Sequence, residues 1–351
     1  MGRFKEQVKC CWLTLNRRCN MRCKWCYAQG AKFSEKRELS FDNAIKAVDM
    51  IVDIGVKNLT LIGGEPTLWK GLSKLIEYAK LKGISVGLVT NGLELHSRQK
   101  LTLLKESGLR NINVSIKGGG SEEYIKNTGV DCYARVLEAV ANIIEEKIPY
   151  SISYVFTEEN ISNLIQAVLP FKRMGANNFY FTFCNSVVND SKIVQELANP
   201  IRLIREFEKQ YQKLNEEQIK FKLHQIFPNC FWEVNILEEM KAKNQIKTVC
   251  QFLDKTGLIF GTALELMFCN MLHECTYGNY GQDFNNGVEL QKHLKSEKVL
   301  EEYKQILKTP SKDCYNCTDF KNCAGGCSLQ WLNYSFEEIK KMRDDYDAKS
   351  N

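Results

Sequence analysis

The chain has 351 residues, of which 44% are hydrophobic and 26% charged, and this composition is ordinary for a globular protein. The net charge is +6 with Lys and Glu interleaved along the chain, so no nucleic acid partner is expected. No segment approaches the roughly 18 apolar residues of a membrane span, and the N-terminal segment lacks the apolar core of a secretion signal, so we expect a cytoplasmic protein without a membrane partner.

Residues 8 to about 215 are predicted to alternate between strands and helices. Ser40 can cap a helix whose apolar residues recur at helical spacing, and Gly55 follows the end of that helix. Pro200 stands in the first turn of another helix, where its missing N–H costs no hydrogen bond. The predicted strands are 8–15, 58–64, 84–92, 111–118, 150–156 and 177–184, and the predicted helices are 40–55, 71–82, 97–107, 132–147, 160–174 and 200–214.

Six strand–helix units with short buried strands imply a parallel sheet. Six units are too few for a closed eight-stranded barrel, so the predicted fold class is α/β, an open (βα)6 partial TIM barrel. In such a sheet the chemistry lies where the strands end, and the segments there meet at one mouth. These segments are CNMRCKWC (19–26), GGEP (63–66), TNG (90–92), KGGG (117–120) and Cys184.

The alternation of strands and helices stops near residue 228. The chain has fifteen cysteines, and seven of them lie between residues 250 and 327. Without a secretion signal, clustered cysteines indicate metal or redox chemistry, and an odd number cannot pair completely in disulfides. We therefore predict a barrel domain at 1–227 and a small cysteine-rich domain at 228–351.

Three cysteines, Cys19, Cys23 and Cys26, follow the first predicted strand at C-x3-C-x2-C spacing. A structural zinc site, or an iron–sulfur cluster held wholly by protein, needs four ligands. This spacing resembles the signature of the radical S-adenosylmethionine (SAM) superfamily, in which three cysteines hold a [4Fe–4S] cluster and SAM chelates the fourth iron. For these cysteines taken alone, a zinc loop or a chance spacing is the alternative.

The GGEP segment at the end of the second predicted strand shares this resemblance. The two glycines, Gly63 and Gly64, let the backbone approach a ligand closely. Glu65 can accept a charge-assisted hydrogen bond from the amino group of SAM. The resemblance therefore implies that these three residues bind SAM.

Further SAM contacts are implied by position within the same family pattern. Trp25 occupies the place of the aromatic residue beside the adenine, and Asn91 and Ser115 are expected to contact SAM. Core packing for Trp25, and turn formation for the other two, are the alternatives. Many relatives have Asp where Lys117 stands, and the Arg that often holds the SAM carboxylate has only Lys126 as a weak substitute.

The resemblance implies radical chemistry. A reduced cluster passes one electron to the sulfonium of SAM, the C5′–S bond breaks, and the 5′-deoxyadenosyl radical abstracts a hydrogen atom from an unactivated carbon. The protein contributes placement of the reactants and exclusion of water. An electron donor such as flavodoxin or ferredoxin is the implied partner.

The C-terminal cysteines resemble, at C-x2-C-x5-C-x3-C spacing, the core of the SPASM domain, which holds auxiliary [4Fe–4S] clusters. A zinc ribbon is the alternative for this pattern alone. The resemblance implies one or two auxiliary clusters. Auxiliary cluster I would be bound by Cys250, Cys269 and Cys327, with Cys275, and auxiliary cluster II by Cys314, Cys317 and Cys323.

The chain departs from the SPASM pattern at two points. Gly261 lies eight residues before Cys269, where the family has it five before, and no cysteine follows Cys327. Cluster II therefore has three evident thiolates. Its fourth ligand could be Asp344, Asp345, His273, water or substrate, or the cluster could be missing.

Five cysteines are assigned to none of these clusters. Four of them, Cys10, Cys11, Cys132 and Cys230, are expected mostly to be small buried hydrophobic residues. Cys184 ends the sixth predicted strand and is expected to face the mouth of the barrel. A thiol there could return a hydrogen atom to a substrate radical, a role for which Cys230 is the weaker candidate, and core packing or mere proximity is the alternative.

SPASM-bearing relatives mostly modify peptides or proteins, so the first hypothesis is thioether or carbon–carbon crosslinking of a ribosomally made peptide. Cα epimerisation with a thiol hydrogen donor is the second hypothesis. Sulfatase-maturase-like oxidation and dehydrogenation of a small molecule are further alternatives, and an iron–sulfur electron carrier without catalysis is the non-enzymatic one. Because only about seven residues precede the first predicted strand, a separate leader-peptide-binding protein is a possible partner.

Overall fold

The structure is a computed structural model, and it describes residues 8–28, 37–189, 192–195, 198–224, 227–247, 250–251, 254–273, 275–306 and 310–350. The prediction about a secretion signal concerns the N-terminal segment, of which residues 1–7 lie outside the described residues. Among the helices that are described, none combines the length and the hydropathy of a membrane-spanning segment.

The six predicted strands are present and lie side by side in one parallel sheet, which confirms the predicted α/β class. Neighbouring strands pair in the sequence order of the chain, because each strand is followed by a helix that crosses back over the sheet. The strands are β1 (Cys10–Thr14), β2 (Asn58–Ile62), β3 (Ser85–Thr90), β4 (Leu109–Ile116), β5 (Tyr150–Phe156) and β6 (Phe179–Phe183).

The predicted helices also form, within a few residues of their expected bounds. Ser40 accepts a hydrogen bond from the Asn43 backbone N–H at 3.2 Å and so caps the first helix. Pro200 opens the helix at 200–216, where Asn199 is the cap. The helices are α1 (Phe41–Asp53), α2 (Leu72–Leu81), α3 (Arg98–Ser107), α4 (Ser121–Thr128), α5 (Tyr133–Glu145), α6 (Leu164–Arg173) and α7 (Pro200–Glu216).

The helix α4, the two strands between β6 and α7, and every helix and strand after α7 are additions to the sequence-based prediction. The later helices are α8 (Val234–Ala242), α9 (Gly287–Leu294), α10 (Glu297–Ile306), α11 (Phe320–Cys323) and α12 (Phe336–Ser350). The further strands are β7 (Val187–Asn189), β8 (Lys192–Gln195), β9 (Phe221–His224), β10 (Ile246–Lys247), β11 (Gly257–Phe260), β12 (Glu265–Met267), β13 (Leu272–His273) and β14 (Thr276–Asn279).

These added strands extend the sheet on both sides. On one side β9 pairs with β6 and β10 pairs with β9, and on the other side β11 pairs in parallel with β1 and leads to β12 and β14. An edge strand exposes unpaired backbone groups, and the C-terminal part of the chain covers both edges of the predicted barrel. β7, β8 and β13 form a separate small sheet. The division into domains at residue 228 stays a prediction.

Aromatic side chains tie the C-terminal part of the chain to the barrel. Phe183, at the end of β6, lies with its ring 6.1 Å from Trp232 and 4.9 Å from Phe227. Phe207 of α7 lies 5.9 Å from the same Trp232 ring. All four side chains are buried, so the segment before α8 is part of the same core.

Candidate active site

A cavity of about 320 Å³ lies where the parallel strands end, as expected for such a sheet. The three cysteines of the C-x3-C-x2-C loop line it, together with Trp25, the GGE turn, Asn91 and Ser115. Cys184 and three C-terminal cysteines, Cys250, Cys269 and Cys327, line it as well. Residues from distant parts of the chain therefore line one cavity.

The GGEP turn is locked against the backbone that leads into the cysteine loop. The Gly64 N–H donates to the Asn16 carbonyl at 2.8 Å, and the Glu65 N–H donates to the Arg18 carbonyl at 2.7 Å. A Cβ atom on Gly64 would lie 2.3 Å from the Arg18 carbonyl oxygen, so only glycine fits there. The two motifs, far apart in sequence, are thus held at one fixed separation.

Helix α4, which the sequence analysis missed, anchors the cysteine loop from the other side. The Arg22 N–H donates to the Thr128 carbonyl at 2.9 Å, and the Lys24 N–H donates to the Asn127 carbonyl at 3.1 Å. These carbonyls are at the C-terminal end of α4, where the helix itself leaves carbonyl groups without partners. The loop between Cys19 and Cys26 therefore provides hydrogen-bond donors for the last carbonyls of α4, and these hydrogen bonds fix the position of the loop.

Glu65 is buried and joins the GGEP turn to the end of β3. One carboxylate oxygen accepts from the Thr67 N–H at 3.1 Å, from the Thr67 hydroxyl at 2.6 Å and from the Thr90 hydroxyl at 2.7 Å. The other oxygen accepts from the Asn91 N–H at 2.8 Å. Burial raises the pKa of Glu65, and these hydrogen bonds partly offset that rise. Its side chain thus has a positioning role in the structure beside the predicted contact with SAM.

We expect Glu65→Gln to lower both the stability and the affinity for SAM. In either orientation the amide NH2 faces a backbone N–H, that of Thr67 or that of Asn91, and one buried donor loses its acceptor, which costs about 1–3 kcal/mol. The measurement is the melting temperature and the SAM dissociation constant of the reconstituted protein. Glu77→Gln, at an exposed position of α2, is the control. A wild-type melting temperature for Glu65→Gln would contradict the network.

The other residues expected to contact SAM also lie at the cavity. Asn91 is nearly buried and donates to the Asn20 side chain at 2.7 Å, while the Leu93 N–H donates to it at 2.9 Å. The Ser115 hydroxyl accepts from the Lys117 ammonium at 2.5 Å, and this Lys is buried at the cavity wall. These hydrogen bonds of Asn91 and Ser115 are compatible with contact with SAM and with a role in forming the turns.

Lys126, the weak candidate for a carboxylate partner, is outside the lining of the cavity. Its ammonium group pairs with Glu159 at 3.2 Å on the protein surface. Lys117 is the residue that brings a positive charge to the cavity wall.

Two cysteine thiols of the loop, those of Cys19 and Cys26, have raised pKa values in the absence of a metal. Burial raises the pKa of Cys19 to about 12 and that of Cys26 to about 11. The charges of Lys117 and Arg17 act in the opposite direction on Cys26. Metal ligation ionises such thiols outright, so these positive charges would stabilise a bound thiolate.

The C-terminal cysteines divide into two groups in space. Cys250, Cys269 and Cys327 line the cavity, and burial followed by the charge of Cys250 raises the pKa of Cys327 to about 11. Cys275 is half-buried and is not part of the cavity lining. The remaining three, Cys314, Cys317 and Cys323, are on the loop around α11, away from the cavity.

Backbone and amide N–H groups point at one or more sulfur atoms in each of the three cysteine sets. The Met21 N–H lies 3.4 Å from the Cys19 sulfur, and the Asn185 side chain donates to the Cys327 sulfur at 3.0 Å. The Asn229 N–H donates to the Cys323 sulfur at 3.3 Å. Hydrogen bonds to sulfur are a feature of iron–sulfur sites, so the residues fit such clusters.

Within the described ranges, no group of three or more His, Cys, Asp or Glu side chains is placed to hold a metal ion. A cubane cluster binds each thiolate through a different iron, so its cysteines stand farther apart than the ligands of one ion.

Cys184 lies at the end of β6 and faces the cavity, which is the position expected for it. Of the four cysteines expected mostly to be buried, Cys11 and Cys132 are buried and Cys10 is half-buried. The expectation is wrong for Cys230, which is exposed. It is on a short turn at Asn229–Phe231 whose other two residues are buried and tie the turn down.

Several residues at the site escaped the sequence analysis. The Tyr27 hydroxyl donates to the Gly63 carbonyl at 2.8 Å, and its place directly after Cys26 is the signal that could have indicated it. His224 ends β9 and lines the cavity, where burial lowers its pKa to about 4 and so keeps the imidazole neutral. Thr90 and Asn185 have structural hydrogen bonds that only the fold reveals.

The family model of the radical SAM superfamily matches residues 13–169 of the chain. The protein of Sulfurisphaera tokodaii named "Probable GTP 3′,8-cyclase" is 32% identical over 218 residues, which are 58% of this chain and 69% of that protein. The protein of Methanosarcina barkeri named "Fe-coproporphyrin III synthase" is 29% identical over 199 residues, 55% of this chain and 49% of that protein. This chain spans about half the length of the second relative.

Solved structures resemble the whole chain. The structure of native anSMEcpe with bound AdoMet and Cp18Cys peptide has a TM-score of 0.69 at 17% identity, covering 97% of this chain and 99% of that one. Streptococcus suis SuiB bound to precursor peptide SuiA has a TM-score of 0.71 at 16% identity, covering 95% of this chain and 75% of that one. At these identities the likeness shows a shared fold.

Proposed function

Because the chain belongs to the radical SAM superfamily, we propose that it is an enzyme that installs a thioether or carbon–carbon crosslink in a ribosomally made peptide. The membership implies a [4Fe–4S] cluster and SAM. The observation that carries the proposal is the single cavity shared by the C-x3-C-x2-C loop and by Cys250, Cys269 and Cys327. A SAM site and an auxiliary redox site beside one substrate space suit an oxidation of that substrate.

In this proposal Cys19, Cys23 and Cys26 hold the SAM-binding cluster. Together with SAM, that cluster supplies hydrogen-atom abstraction chemistry when bound. The buried ammonium of Lys117 would stabilise a carboxylate of the ligand, and the largely apolar walls of the cavity would limit access of water to the reacting carbon. Trp25 provides an apolar face beside the cysteine loop.

Cys250, Cys269 and Cys327 hold auxiliary cluster I, with Cys275 as the predicted fourth ligand. Closing a crosslink after hydrogen abstraction requires that the substrate lose one further electron and one proton. An electron acceptor bound by these cysteines would stand in the wall of the substrate space. Flavodoxin or ferredoxin as the electron donor, and a separate leader-binding protein, remain predictions.

A peptide substrate is supported by the structural neighbours, two of which are described with bound peptides. The names of the sequence relatives indicate GTP or a porphyrin for those proteins. The main alternative to a peptide substrate is therefore a small molecule, and the experiment must include both.

The test incubates the anaerobically reconstituted protein with SAM, a reductant and either the peptide encoded beside its gene or GTP. The readouts are 5′-deoxyadenosine and the mass of each substrate. We expect SAM cleavage that depends on the peptide, and a peptide that loses two hydrogens. Cleavage without any change in the peptide, or turnover of GTP, would overturn the peptide assignment. If SAM is not cleaved under these conditions, the hypothesis that the protein is a radical SAM enzyme is wrong.

Epimerisation is a second candidate, favoured by the position of Cys184 at the cavity. Its thiol would donate a hydrogen atom to the substrate radical from the face opposite to abstraction, and the thiyl radical left on Cys184 would take up one electron from the reductant and one proton from water. Sulfatase-maturase-like oxidation and small-molecule dehydrogenation lack a comparable observation among the described residues.

If the protein is an epimerase, Cys184→Ala should still cleave SAM but should no longer incorporate deuterium into the peptide in deuterated water. The wild-type protein should add one non-exchangeable deuterium per peptide, read by mass spectrometry. Cys132→Ala removes a buried thiol outside the cavity lining and is the control. Under the crosslinking proposal neither variant changes the loss of two hydrogens, so this one experiment separates the two candidates.

A further inference from the structure

The proposed auxiliary cluster II has three thiolates, those of Cys314, Cys317 and Cys323, and lacks an evident fourth ligand. These cysteines are on a loop of tight turns, in which the Cys317 N–H reaches the Cys314 carbonyl at 3.4 Å and the Cys323 N–H reaches the Asp319 carbonyl at 3.0 Å. Cys317 is exposed and the other two are half-buried, so the loop opens to the surface of the protein. A fourth thiolate must come from another segment.

The turn at Asn229–Phe231 lies directly against this loop. The Asn229 N–H donates to the Cys323 sulfur at 3.3 Å, and the Asn229 side chain donates to the Asp319 carboxylate at 2.5 Å. Lys241 pairs with the same carboxylate at 3.3 Å. The backbone one residue before Cys230 is therefore in contact with a predicted cluster ligand.

The turn is also held from its other side. The ring of Phe231 lies 5.3 Å from that of Phe336 at the start of α12. Arg343 of the same helix donates to the Cys230 carbonyl at 3.1 Å. Asn229 and Phe231 are both buried, so these contacts fix the position of the turn, and Cys230 lies between them as an exposed residue.

The electrostatic surroundings of the thiol agree with this placement. Cys323, Cys314 and Arg343 all lie within electrostatic range of Cys230. Two of the three loop cysteines are thus close enough to influence Cys230. A positive charge beside it would stabilise an anionic cluster.

We propose that Cys230 is the fourth ligand of auxiliary cluster II and completes the set of Cys314, Cys317 and Cys323. This inference rests on the second auxiliary cluster of the proposed function. Coordination replaces the proton of the thiol by iron, so one proton is released and no electron is transferred. The cysteine comes from before α8, whereas the SPASM pattern has its last ligand after the core.

The other candidates for this ligand are placed less well. Asp344 is exposed and pairs with Arg343 at 3.0 Å, and Asp345 is exposed on the same helix. The side chain of His273 lies outside what the structure describes. A carboxylate on α12 is nevertheless near the turn, so Asp344 is the appropriate rival in a test.

The test uses the full chain with Cys19, Cys23 and Cys26 replaced by Ala, so that only auxiliary clusters remain. After anaerobic reconstitution we expect about eight iron atoms per chain, four for each cluster. Adding Cys230→Ala should lower this to about four, or produce a three-iron cluster with its own electron paramagnetic resonance signal. Asp344→Asn in the same background should keep the iron content and the spectrum of the parent.

The variant Cys230→Ser separates loss of ligation from loss of packing, because serine has nearly the same size as cysteine. An oxygen ligand in place of sulfur should change the spectrum and the midpoint potential of one cluster, whereas a structural role would leave both unchanged. Parent values for both Cys230 variants, or loss of iron on Asp344→Asn, would overturn the proposal. A parent with only about four iron atoms would overturn it as well, while SAM cleavage by the wild-type chain would still support the proposed function.

Discussion

Cys26→Ala should reduce SAM cleavage to the background rate and remove about four iron atoms per chain from the reconstituted protein. The reason is that the loop contributes three thiolates to the proposed cluster and has no spare one. Cys26 lines the cavity. Its backbone N–H donates to the Cys23 carbonyl at 3.1 Å, and this tight turn fixes the position of the sulfur. The measurements are iron content, visible absorption and 5′-deoxyadenosine formation under anaerobic conditions.

The control for this prediction is Cys132→Ala. Cys132 is also buried, precedes α5 and lies outside the lining of the cavity. Its replacement should cost some packing energy while leaving iron content and SAM cleavage near those of the wild type. If Cys26→Ala still cleaves SAM at a comparable rate, the assignment of the loop to the SAM-binding cluster is wrong.

Gly64→Ala should damage the same site without touching a sulfur. The added Cβ would meet the Arg18 carbonyl oxygen at 2.3 Å and the Arg17 carbonyl oxygen at 2.7 Å. Both are backbone atoms, and the hydrogen bond from the Glu65 N–H to Arg18 holds them in place. Overpacking of this kind costs about 1–3 kcal/mol. Because the backbone must shift at the cavity wall, SAM should bind more weakly by about tenfold or more.

The measurements are the melting temperature and the dissociation constant for SAM. Gly120→Ala is the matched control, since a Cβ there meets nothing within 4 Å and the backbone is extended, with a φ of −167°. Its melting temperature should be close to that of the wild type. Gly64→Ala with unchanged melting temperature and affinity would show that the GGEP turn is not clamped to the cysteine loop.

The barrel elements and the two cysteine motifs could be predicted from sequence because their signals are local. Helical spacing of apolar residues after Ser40, and short buried strands between helices, depend on neighbours a few positions away. The same is true of C-x3-C-x2-C and GGEP, whose residues act through one loop each. Helix α4, which anchors the cysteine loop, was missed because its sequence, SEEYIKNT, is short and mostly polar.

The remaining features depend on contacts between distant segments. The sequence by itself determined the α/β class, the order of the six strands and the membership in a family. Only the tertiary structure decided that the strands after residue 220 cover both edges of the sheet, and that Cys250, Cys269 and Cys327 share a cavity with the first loop. It also placed the turn that carries Cys230 against Cys323, through the Asn229 N–H. Packing and strand pairing between remote segments set these distances, and no local periodicity encodes them.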